Sequence, residues 1–145
     1  MTDCTHTCQV APVNITSHGI SFVRVYNTDD GESHLEDIEY SLAKTNHGLV
    51  AERVAVDEVI LRIWHKHPDE PVFHVAKQRQ FVIHLSGSAE IEASDGSTRT
   101  LETGSMLLTE DTEGKGHRFR TLEFPRMAMF VPLLAQRKTK TGLLW

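Results

Sequence analysis

Residues 80–87 read Gln80-Phe81-Val82-Ile83-His84-Leu85-Ser86-Gly87, and residues 89–96 read Ala89-Glu90-Ile91-Glu92-Ala93-Ser94-Asp95-Gly96. The first stretch is rich in aromatic and β-branched residues and stops at Ser-Gly. The second alternates apolar and polar positions and stops at Asp-Gly, a strong hairpin signal. Residues 98–101 return from that hairpin. A period of two, broken by glycine turns, is the pattern of short strands.

The pattern continues outward in both directions. Residues 19–26 (GISFVRVY) alternate in the same way, and residues 27–31 (NTDDG) form a turn cluster. Residues 38–42 are a short apolar stretch. Residues 49–64 hold two strand-like runs, with Asp57-Glu58 as the break. Residues 106–109, 117–122 and 127–131 follow. No window keeps a helical period over ten residues. About nine or ten strands at regular spacing predict an all-β sandwich or barrel, whose interior can hold one ligand.

The chain has 145 residues, 39% hydrophobic and 24% charged, which suits one soluble globular domain. The expected organisation is an arm over residues 1–17, a barrel over 18–133 and a tail over 134–145. The formal net charge of −5 argues against a nucleic-acid partner. The basic cluster Arg137, Lys138 and Lys140 reads as a solvated tail. The apolar run from Met127 is too short to span a bilayer, and the first ten residues lack the basic start and apolar core of a signal peptide. A cytoplasmic protein without a membrane partner is therefore expected. Cys4 and Cys8, near His6, fit neither a disulfide framework nor a closed four-ligand zinc site.

Nine histidines direct attention to metal or acid–base chemistry. His84 shares strand parity with Gln80 and faces the same side. Four residues at about 3.3 Å each place it roughly 13 Å from Gln80. It is either a second polar group deeper in a cavity or a satisfied core histidine. His65 and His67 stand in a charged segment with Pro68, Asp69 and Glu70 that reads as a solvated loop. His34 reads as an exposed loop residue. Residues 110–113 (EDTE) are a charge run that could bring a carboxylate to the mouth of a barrel. Trp64 is a candidate aromatic wall for a ligand. No Gly-x-Ser-x-Gly elbow is present, and no cysteine is placed for nucleophilic work.

Two stretches resemble the cupin superfamily. QFVIHLSG (80–87) is similar to the second half of the first cupin motif. LETGSMLL (101–108) followed by GKGH (114–117) is similar to the second motif, with a few extra residues before its histidine. The resemblance covers most of residues 20–132 and implies a single-domain double-stranded β-helix, or jelly-roll barrel. It also implies a homodimer paired through sheet edges and exchanged terminal strands.

Metal-binding cupins carry His-x-His, three or four residues, Glu, six residues, Gly. Anchored on Gly87, this pattern places His74 and Ala76 at the two histidines and Gln80 at the glutamate, while His117 takes the histidine of the second motif. The resemblance thus implies a degenerate metal site of His74, Gln80 and His117. Iron, manganese, nickel or zinc would be weakly held there, because a carboxylate and an imidazole are lost. The resemblance leaves two functions open. One is an enzyme of lyase, isomerase or dioxygenase type acting on a small organic substrate, with His74 and His117 catalytic and with or without a metal. The other is a non-catalytic module that binds or senses a ligand. In both, Gln80, His84 and Trp64 are ligand-binding candidates.

Overall fold

The computed structural model describes residues 13–66 and 71–134, and beyond them the backbone of Arg137–Thr139 and Gly142–Leu144. Cys4, His6, Cys8 and the rest of residues 1–12 lie outside the described residues. So do His67, Pro68, Asp69 and Glu70, and the side chains of the C-terminal basic cluster. Among the described residues there is no helix. The strands are β1 (Asn14–Ile15), β2 (Gly19–Asn27), β3 (Ser33–Thr45), β4 (Gly48–Ala51), β5 (Ile60–Trp64), β6 (Gln80–Ala93), β7 (Thr98–Leu101), β8 (Met106–Glu110), β9 (His117–Pro132), β10 (Arg137–Thr139) and β11 (Gly142–Leu144).

One mixed sheet runs in the order β4-β3-β2-β8-β6-β9-β5, with β1 added to β2 and β7 to β6. Only β2 and β8 pair in parallel within it. It curls into a barrel that does not close, in keeping with the expected all-β jelly-roll class. Strand alternation gives the sheet two apolar faces. Val23, Val25, Val82, Ile91, Leu101, Leu107, Ala128 and Phe130 fill the lumen. Phe22, Phe81, Leu108, Val131 and Leu133 pack on the opposite face, where Phe22 and Phe81 meet edge to face at 6.0 Å. Burial on both faces explains why residues 81–83, 106–108 and 127–131 read as continuous apolar runs.

The stretch that decides the fold differs from expectation in one respect. Residues 80–85 and 89–93 are not two strands separated at Gly87; they are the single strand β6. Likewise 117–122 and 127–131 merge into β9. The two long strands pair from Gln80↔Pro132 to Ala93↔His117, with register shifts between His84 and Ala89. Gly87, at φ 70°, lets the chain bend through these bulges without leaving the ladder. A side chain there would be strained in conformation and would strike backbone, because an added Cβ would lie 2.6 Å from the Glu123 carbonyl oxygen. Gly87→Ala is therefore expected to destabilise the protein by roughly 2–4 kcal/mol. Urea unfolding measures this, and an unchanged midpoint would contradict the bulge geometry.

Candidate functional site

The extended segment before β6 runs back along the start of β9. His74 and His117 form an isolated antiparallel bridge, each amide N–H donating to the other residue's carbonyl at 2.9 Å. Gly116 makes this approach possible. It has φ 76°, and a Cβ on it would lie 2.1 Å from the His74 carbonyl oxygen. The two imidazoles consequently stand with ring centroids 4.8 Å apart.

Both rings line a cavity of about 370 Å³. Gln80 and Ala76 line it too, so the strand parity inferred from the Gly87 anchor matches the lumen. Arg62 from β5 and Lys77 contribute cationic groups, and Glu58 an anionic one. Val82, Phe119 and Phe130 contribute apolar wall. Of these, Val82 and Phe130 also belong to the core.

His117 is almost wholly buried, and its Nδ1 lies 2.6 Å from Oδ2 of Asp111, which has no exposure at all. An ionised carboxylate only accepts, so Nδ1–H donates and Nε2 keeps the basic lone pair. Nδ1 of the exposed His74 likewise donates, to the carbonyl of Val72 at 3.1 Å. Each histidine is therefore set in the tautomer whose Nε2 can take up a proton. Asp111 is also fixed through its backbone, its carbonyl accepting the Ala76 N–H at 3.1 Å. In the sequence Asp111 sits inside a run of acidic residues. Its burial behind a histidine six positions on had no local signal beyond the glycine turn between them.

Neither Trp64 nor His84 is among the residues lining this cavity. Trp64 packs against the core, its ring 6.2 Å from that of Phe130 and 3.6 Å from the Arg126 guanidinium carbon. Neighbouring aromatic and cationic side chains thus cover the wall it was expected to offer to a ligand. His84 points inward as its parity requires, but it lies deeper, with 1% exposure. His34 stands apart from the cavity, bonded to Thr28 Oγ1 and to Asp95. His65 is exposed.

No family model matches the chain, and no curated protein matches it. Among solved structures it is similar to the crystal structure of a 3,4-ketoisomerase from Helicobacter canadensis. The TM-score is 0.45 at 14% identity, over 72% of this chain and 85% of that one.

The donors around the cavity do not fit a resident divalent cation. Among the described residues no three His, Cys, Asp or Glu side chains converge to hold one. Asp111 is already committed to His117, and buried Ala76 offers no donor where the cupin pattern places a second imidazole. Replacing Ala76→His together with Gln80→Glu should strengthen nickel or zinc binding above that of the parent chain. Calorimetric titration of both proteins checks this. No gain in a folded variant would show that positions 76 and 80 do not share the site.

Burial, and next to it the charge of Arg126, lower the His84 imidazole from its ordinary 6.5 to about 4. The unfolded chain then binds this proton below about pH 6.5, whereas the folded protein resists it down to about pH 4. Stability should therefore fall as the pH drops through that window, by roughly 3 kcal/mol at pH 4. Urea unfolding at pH 7 and pH 4 should show a smaller loss in His84→Leu than in the parent. Equal losses would mean that His84 is not held neutral.

Proposed function

We propose that this chain is a cupin-type enzyme that moves a proton on a small organic substrate held in the cavity, in isomerase or lyase fashion. The observation that supports this best is the buried Asp111–His117 pair opening on a cavity that also contains His74. His117 acts through Nε2 as general base. The imidazolium that forms lies against the Asp111 carboxylate, which stabilises it and keeps the ring in one orientation. His74, one ring away and in contact with solvent, takes a proton from solvent on Nε2 and delivers it as general acid, and the proton gained by His117 returns to solvent to close the cycle. Removal at one atom and return at a neighbouring one is an isomerisation; return to a leaving group is an elimination. The Gln80 amide, in the lining of the same cavity, hydrogen-bonds a substrate oxygen in this reading. Arg62 and Lys77 at the wall favour a substrate bearing an anionic group.

The test is proton exchange. Small carbonyl compounds and hydroxy acids are incubated with the protein in D₂O, and deuterium incorporation is followed by NMR. At least one compound should exchange. His117→Ala should slow that exchange about 10²–10⁴-fold, and Asp111→Asn should also slow it while the fold is retained. A compound that binds the cavity but exchanges no faster than in buffer would overturn the catalytic reading and leave a ligand-binding module. Exchange unaffected by His117→Ala would overturn the role of the pair.

A further inference from the structure

We propose that His84 and Arg126 form a second, inner site that binds one small monovalent inorganic anion of the chloride or nitrate class. The inference does not rest on the catalytic reading above, since it uses neither His74 nor His117. Its basis is the pairing of the strands. His84 of β6 lies opposite Ala128 of β9, and Arg126 lies opposite Trp64 of β5. His84, Ala128 and Arg126 are all buried, at 1%, 0% and 4% exposure. They therefore share the inward face, with the imidazole and the guanidinium as diagonal neighbours across the ladder.

Arg126 is unusual for a buried arginine. Its guanidinium carbon lies 3.6 Å from the Trp64 ring centroid and 5.6 Å from that of Phe119. Aromatic faces attract a cation but do not neutralise it. Among the described residues no carboxylate forms an ion pair with it, and the neighbouring charge acting on it is another cation, Arg62. Among the described residues no group accepts from its sealed Nε, and none bonds either ring nitrogen of His84. A largely buried guanidinium with no carboxylate beside it among the described residues, next to buried polar atoms without partners there, is unfavourable. Water would satisfy the hydrogen bonds but would leave the charge.

An anion answers both needs. It accepts from Arg126 Nε and from the one N–H of a neutral imidazole. The imidazole's low proton affinity in this position keeps it neutral near pH 7. The enclosed charge is then a single positive one, which a monovalent anion matches, whereas a doubly charged phosphate would leave a buried excess. Phe119 and Phe130 belong both to the outer cavity's lining and to the aromatic surroundings of Arg126 and Trp64. The inner site therefore lies behind the wall of the outer one.

The test is a titration of the intact chain with sodium chloride or sodium nitrate at constant ionic strength, gluconate being the bulky replaced anion. The expected result is a saturable rise in melting temperature. The Arg126 Nε–H resonance should shift with the same midpoint, while the ring resonances of His74 and His117 stay in place. Arg126→Met should weaken the binding at least tenfold. Should that variant not fold, the resonance titration of the parent decides. Absence of a saturable response at Arg126, a response centred on His74 and His117, or equal affinity in a folded Arg126→Met protein would each overturn the proposal.

Discussion

The curl of the β6–β9 ribbon is the constraint on which the rest of the molecule depends. In the ladder, Gln80 lies at one end opposite Pro132, and His117 lies at the other opposite Ala93. Thirteen steps along a flat strand would separate those ends by roughly 40 Å. They nevertheless line one cavity. The ribbon must therefore wrap around the lumen, and the shifts in register near Gly87 are where it bends. The His74–His117 bridge then joins the segment entering β6 to the far end of the ribbon, and Gly116 keeps that seam free of side chains. Gly114 makes a separate close approach to the turn at Gly31, where a Cβ on it would lie 2.3 Å from the Gly31 carbonyl oxygen. Backbone-on-backbone approach at Gly116, more than any side-chain contact, brings the imidazoles together.

Much of this was legible in the sequence, and the parts that were not share a physical cause. Strand parity at residues 80–84 identified the inward residues, because one buried face enforces the period of two. The same reasoning could not tell a glycine that ends a strand from one that bends it, since both need positive φ and small size. Asp111 was hidden for a different reason. A buried carboxylate looks like a solvated one until its partner is known, and that partner reaches it across a turn. Arg126 follows Pro125 in a stretch that reads as a break between two strands. Its inward orientation depends on the β9 register after the bulge, which no local pattern encodes. Trp64 was legible as an interior aromatic, but what shields it comes from another strand.

The two interior histidines show how environment, not residue type, divides roles within one lumen. His117 and His84 are almost equally buried, at 2% and 1% exposure. His117 has a carboxylate at 2.6 Å, so a proton gained on its outer nitrogen is met by opposite charge. His84 has a guanidinium as its charged neighbour, so a proton gained there meets like charge and no hydrogen-bond partner. The first arrangement fixes the ring's orientation through its Nδ1; the second suppresses protonation and keeps a neutral imidazole beside a fixed cation. Two chemically identical side chains on one barrel wall thus meet opposite electrostatic surroundings.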